Sequence, residues 1–453
     1  MSKHASSFLL VTLLLALLLS ACTPTSQSGD PTATPMPFFP ATVEVTQNPL
    51  LPINPTPTPN LVNPNPVRIT ELEYLQEETQ VLVMAKLFNT LADAILRDVQ
   101  LEVLALDAAG NRLAQQRTSF RYLFPNETTG LVQEFEINSG LVITGVEVRV
   151  VDGLIDRMLK YEQPLTIENT TAFRIGNDYT VTGWLSNADA YTYTQVLLNA
   201  VAYNASGQIV GGGQANFDFV PETDQIGFSI QVNSRRGEEV DHVDVSPWIT
   251  SYSASLEGGN WWNSVSTDEW NFAIDQFNQI TGGAILTNKT DQVLTETFLI
   301  LTVSDENNRV CFAENVYYDV LWAEESAIYA VETRRLPESC RGKSVDLVVV
   351  PGEFGQFPVN FNPLLASQGA FRDESSVLVS VVNNLNASVS HARVYVVLRD
   401  GADRIVGGGF GTTELIRAGS SISVIVPVAY LGIQEELTIH AFATLPADVE
   451  FGQ

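Results

Sequence analysis

Four stretches decide the fold: Val83-Met84-Ala85-Lys86-Leu87-Phe88-Asn89, Val181-Thr182-Gly183-Trp184-Leu185-Ser186-Asn187, Gly282-Gly283-Ala284-Ile285-Leu286-Thr287-Asn288 and Leu378-Val379-Ser380-Val381-Val382-Asn383. Each is an alternating run that stops at Asn. The four Asn residues lie 98, 101 and 95 positions apart. A second alternating run follows, as in Val99-x-Leu101-x-Val103 or Val394-x-Val396-x-Leu398. Next comes a polar turn beginning at Asp107, Asn204, Asp305 or Asp400, 17 or 18 residues after the Asn. A late run closes each unit: Val146 to Val150, Val243 to Val245, Val345 to Val349 and Leu437 to Ala441.

Alternation with period 2 predicts half-buried strands, with one face on a core and the other in water. Asn, Asp and Gly supply the turns between them. No segment after Leu19 carries a long 3.6-residue period with caps. Several short strands in about 95 residues read as an antiparallel β-sandwich. The expected fold is therefore all-β: four tandem immunoglobulin-like β-sandwiches at 67–165, 166–255, 256–364 and 365–453. The string Ile-Val-Gly-Gly-Gly occurs at both 209–213 and 405–409, which supports true repetition. Glycine triplets cradle phosphate when they lead into a helix. Here another strand follows each (Gln214 to Phe219; Phe410 to Leu415). A bulge or a close approach between sheets is the expected role.

The strand-Asn-strand-turn-strand grammar resembles the FxLYD family of small immunoglobulin-like domains of bacterial envelope proteins. The family's name motif falls at Val201-Ala202-Tyr203-Asn204-Ala205-Ser206-Gly207. Tyr203 and Gly207 match and Asn204 stands for the Asp, whereas Ala200 and Ala202 occupy the Phe and Leu positions. The resemblance spans 67–453. It implies the sandwich fold and no catalytic residues.

The N-terminus carries a different signal. Lys3 precedes an apolar run from Phe8 to Leu19, and Leu19-Ser20-Ala21-Cys22 follows. A charged start, a short apolar core and small residues describe a secretory signal peptide. The run is too short to span a bilayer, which takes roughly 20 residues. The tetrapeptide resembles the lipobox of bacterial lipoproteins, whose peptide is cut before a Cys that is then diacylated. The resemblance implies a signal peptide at 1–21, a lipid on Cys22 and an extracytoplasmic, membrane-tethered protein. The competing reading is a plain secretory signal with an incidental Cys. Residues 22–66 are rich in Thr and Pro and are expected to form a disordered stalk, with a reach on the order of 130 Å if fully extended.

The chain has 453 residues and a net charge of −28, with 45% hydrophobic and 17% charged residues. The acidic excess is spread along the chain. That argues against nucleic-acid binding, which needs a basic stripe, and favours simple solubility. With Cys22 carrying lipid, Cys311 and Cys340 remain as a pair in an oxidising compartment. They are either bridged or two buried thiols.

Motifs for chemistry are scarce. Histidine is limited to His242, His391 and His440 after the signal peptide, with no metal-ligand spacing. No cofactor is expected. No Gly-x-Ser-x-Gly elbow is present. Acid pairs such as Asp241/Asp244 and Asp400/Asp403 read as turn chemistry rather than calcium sites, which need six to eight oxygens. The aromatic cluster Trp261, Trp262 and Trp270, with Phe272 and Phe277 behind it, either displays a ligand surface or plugs a joint between sandwiches. The expected function is non-enzymatic: display of a binding or scaffolding surface for envelope protein or polysaccharide. The alternative is a polysaccharide hydrolase with a site at a domain joint, a reading for which no spacing selects a carboxylate pair.

Overall fold

The computed structural model describes residues 65–446 apart from 160–161, 177, 223, 236–237, 251–262, 333 and 356–360. They lie in one compact unit. The architecture is all-β and antiparallel, with no α-helix among the described residues. The first stretch holds β1 (Val67–Glu77), β2 (Gln80–Asn89), β3 (Ile95–Leu106), β4 (Arg112–Leu123), β5 (Thr128–Glu136) and β6 (Gly145–Asp156). They form two sheets ordered β1-β2-β5 and β4-β3-β6.

The third stretch repeats this order. Val265–Ile274, Gln279–Asn288 and Ser326–Ala330 make one sheet, and Val310–Leu321, Val293–Ser304 and Ser344–Val350 make the other. In the second stretch, 165–249, the two sheets merge along one edge, where Gly211 and Gly212 pair with Ser234 and Asn233. In the fourth, Ser376–Asn383 pairs with Ser421–Pro427, and Arg393–Arg399 lies between Ile405–Thr412 and Thr438–Thr444. Strand pairing stays within each stretch among the described residues, except that Leu364, at the boundary, pairs with Asn383 of the fourth.

The Asn that ends each first alternating run is a buried clamp. Asn89, Asn187, Asn288 and Asn383 are at most 3% exposed. Each side-chain oxygen accepts the N–H two residues on, at 2.9–3.0 Å, from Leu91, Asp189, Thr290 and Leu385. Each amide nitrogen donates to carbonyls of the loop that begins the next strand and of the strand end some 33 residues later. For Asn89 these are Ala94, Leu123 and Phe124, at 3.0, 3.1 and 2.9 Å. For Asn383 they are Ala387, Ile416 and Arg417. One planar side chain thus closes both ends of a crossover whose backbone groups would otherwise be orphaned in the core.

A second shared feature has no sequence signature. Asp98, Gln195, Glu296 and His391 all adopt left-handed backbone, with φ of 49, 53, 56 and 56°. They sit eight or nine residues past their Asn. Each such position costs on the order of 1 kcal/mol or more for a non-glycine residue. Recurrence in all four stretches means the surrounding strands enforce it.

The glycine triplets mark close approaches. A Cβ on Gly213 would lie 1.9 Å from the Gln231 carbonyl oxygen, and one on Gly409 would lie 1.9 Å from that of Pro427. The middle glycines face the preceding stretch: a Cβ on Gly212 would meet Met84, and one on Gly408 would meet Gly282 and Ala330.

Burial departs from the expected pattern of one wet face per strand. In β2, Val81 through Leu87 are all buried. Val81, Val83, Ala85 and Leu87 face their own core. Leu82 and Met84 pack with Val201, Tyr203 and Ile209 of the second stretch. Phe298 and Ile300 join the second stretch's core, whereas Leu299, Leu301 and Val303 stay in the third's. Tyr395 and Val397 enter the third stretch's core, while Val394, Val396 and Leu398 remain in the fourth's. The second face of these strands is covered by the neighbouring stretch rather than by water.

Polar groups at the joints are matched. Lys86, with a nearly buried side chain, reaches Asp244 at 2.8 Å. The Trp248 indole N–H donates to Thr129 Oγ1 at 2.8 Å, and that of Trp184 to the Asn308 carbonyl at 2.9 Å. Arg399 meets Glu269 at 2.8 Å, and Arg393 meets Asp319 at 3.2 Å.

Candidate functional site

Cys22 and the Thr/Pro-rich stalk up to residue 64 lie outside the described residues, as do Trp261 and Trp262. Trp270 sits on the strand Val265–Ile274, opposite Ala284, and is 44% exposed, with its ring 6.1 Å from that of buried Phe272. Among the described residues, no group of three or more His, Cys, Asp or Glu is placed to hold a metal ion, and no helix is long and apolar enough to cross a membrane.

Cys311 and Cys340 form a disulfide bridge. It ties the strand Val310–Leu321 to the segment 334–343, whose first two residues, Arg334–Arg335, pair as a short strand with Ile280 and Gln279. That segment is also stitched to the turn at 275–279. The turn is built by Asp275, whose Oδ1 accepts the N–H groups of Phe277 and Gln279 at 2.8 Å each. Asn278, left-handed at φ 61°, then joins turn to loop. Its amide donates to the carbonyls of Pro337 (3.2 Å) and Cys340 (3.0 Å), and its Oδ1 accepts the Gly342 N–H (3.2 Å). Its own carbonyl accepts the Leu336 N–H at 2.8 Å.

Between turn and loop lies an open cleft of about 500 Å³, lined by Gln276, Phe277, Gln279, Arg335, Glu338 and Arg341, with Leu336 and Asn278 at its floor. Phe277 is 64% exposed at its mouth. Arg335 is paired with Glu338 at 3.2 Å. Glu338 is the one carboxylate in this lining. A second cleft of about 530 Å³ shares Glu338 and Arg341 and adds Asp305, Glu306, Arg309 and Lys343. There Asp305 is held below the usual carboxylate range. Burial opposes its charge, but the Arg309 and Asn307 N–H groups and the Arg309 guanidinium outweigh it. The arrangement offers donors, cations and an aromatic ring, and two of its three carboxylates are ion-paired, Asp305 with Arg309 and Glu338 with Arg335.

Phe277 is expected from the aromatic cluster in the sequence, whereas the cations are not. Their signal was available: residues 334–343 hold Arg334, Arg335, Arg341 and Lys343, four of the chain's 24 Lys and Arg, against the single acid Glu338. In a chain of net charge −28, that density stands out.

No protein-family model matches the chain, and no curated protein does. Among solved structures, a beta-glucuronidase from glycoside hydrolase family 2 aligns at 9% identity and a TM-score of 0.14, covering 84% of this chain and 76% of that one. The native conformation of Escherichia coli alpha-2-macroglobulin aligns at 11% identity and a TM-score of 0.11, covering 84% of this chain and 28% of that one. At these TM-scores neither likeness carries an argument about activity, and what stands is an all-β, antiparallel chain with a preformed cleft on its third strand set.

Proposed function

We propose that this chain is a non-enzymatic lipoprotein of a bacterial envelope, tethered by a lipid on Cys22, whose four β-sandwiches display a binding or scaffolding surface outside the cytoplasm. The ligand is an envelope polysaccharide or protein. The observation that carries the reading is the cleft of the third stretch. A disulfide and Asn278 hold its floor, and its one lining carboxylate is ion-paired to Arg335. A rigid floor beneath exposed donors and an aromatic ring suits recognition. Joints with shared cores support a scaffold that presents this surface in a fixed frame.

Two measurements test it. Incorporation of a palmitate analogue should vanish in Cys22→Ala; label that persists refutes the tether. Envelope polymers incubated with the purified protein should be retained with their length unchanged. Shortened polymer, with activity abolished by substituting one carboxylate, would move the chain to the hydrolases.

A further inference from the structure

We infer that the paired clefts around Arg341 bind an acidic polysaccharide, a glycan chain carrying carboxylates, and this rests on the binding-module reading above. Arg341 is exposed, lines both clefts and forms no ion pair among the described residues. A guanidinium without a partner is a fork for carboxylate. Phe277 presents an exposed ring beside it, an apolar face on which a sugar ring can lie. Gln276 and Gln279 line the same cleft, and their amides can bond hydroxyls. The second cleft adds Arg309 and Lys343 beside the acids Asp305 and Glu306; Asp305 is paired with Arg309 at 2.7 Å and Glu338 with Arg335, so Arg341 and Lys343 there face a single unpaired acid, Glu306, among the described residues. The clefts are open and adjoin at Glu338 and Arg341, so they suit an extended chain rather than one enclosed small molecule.

The first and fourth stretches serve as internal controls. The hairpin tip corresponding to Gln276-Phe277 is Glu77-Glu78 in the first stretch and Asp373-Glu374 in the fourth. The segment corresponding to 331–343 is uncharged at 137–144 and carries Glu435 and Glu436 in the fourth. Only the third stretch combines an aromatic tip, amides, cations and a disulfide. The chain's net charge of −28 does not prevent binding. At physiological salt the Debye length is about 8 Å, so the cleft's own groups dominate. An acidic peptide fits less well. Peptide recognition draws on free backbone edges, and here the Leu336 and Cys340 N–H groups are already bonded, to the Asn278 and Pro337 carbonyls.

The test uses the full chain in detergent, with polygalacturonate, its methyl ester, neutral dextran and poly-L-glutamate as probes, by titration calorimetry. Polygalacturonate should bind, more weakly as salt rises, and esterification should weaken it. Phe277→Ala and Arg341→Ala should each weaken binding about tenfold, while Arg341→Lys loses less. Both residues are exposed, and an unchanged melting temperature verifies folding. The inference is overturned if polygalacturonate does not bind, if neither alanine variant weakens it, or if poly-L-glutamate binds more tightly. Should polygalacturonate fail while another envelope polymer is retained, this inference falls and the binding-module reading stands. Should nothing be retained, both fall.

Discussion

Replacing Asn89 separates the clamp role from ordinary polar filling. Asn89 is fully buried, donates to three carbonyls and accepts one N–H. Asn89→Ala removes all of these and strands the carbonyls of Ala94, Leu123 and Phe124. At about 1 kcal/mol net per bond, with some added cost for buried groups left unsatisfied, the loss is about 3–5 kcal/mol. That is a large fraction of a typical domain's 5–15 kcal/mol. Asn89→Asp is nearly isosteric yet should be worse at pH 7. It sets an oxygen against carbonyl oxygens where a donor stood, and buries a charge. Burial among carbonyls raises the introduced carboxyl's folded-state pKa above its unfolded value near 4. The folded state then binds more protons, so this variant is more stable at low pH and loses stability as pH rises above about 4. Hydrogen exchange across β1–β6 in urea, on the full chain, reads the effect. Asp107→Ala provides the comparison: it removes an exposed turn acceptor of the Ala109 and Asn111 N–H groups and should cost less, because water replaces the lost acceptor. The reasoning is refuted if Asn89→Ala costs no more than Asp107→Ala, or if Asn89→Asp is no worse than Asn89→Ala at pH 7.

The remaining expectations concern the third and first stretches. Cys311 and Cys340 are separated by 29 residues, so replacing both with Ser should destabilise the third stretch by about 3–4 kcal/mol in the chain-entropy account; a loss under 1 kcal/mol in urea titration would remove the bridge as a main support of the cleft. Burial pushes the half-buried Glu127 carboxyl up to about 7, against the Phe124 N–H and the Gln163 amide, which favour its charge. Its contribution is therefore complete below about 4.5 and lost as pH rises to about 7, a change on the order of 2–3 kcal/mol. Glu127→Gln should flatten the first stretch's stability across that window; an unchanged pH profile would count against it.

The sequence alone determined the class of fold and its punctuation. Period-2 runs can only be strands with distinct faces, and Asn at the same place in each repeat reports a local demand of the backbone that only a short amide side chain meets. The Gly-Gly-Gly strings likewise reported close approach, because nothing larger than hydrogen fits 1.9 Å from a carbonyl oxygen. Tertiary structure alone decided what covers the second face. Met84 and Lys86 alternate as an outward face should, yet both are buried because the second stretch packs on them. The left-handed residues Asp98, Gln195, Glu296 and His391 share no chemistry, so only the strand geometry reveals them. The cleft was equally hidden. Asn278 and Pro337 are 59 positions apart, and alternation encodes which way a side chain points, not which distant loop it will meet.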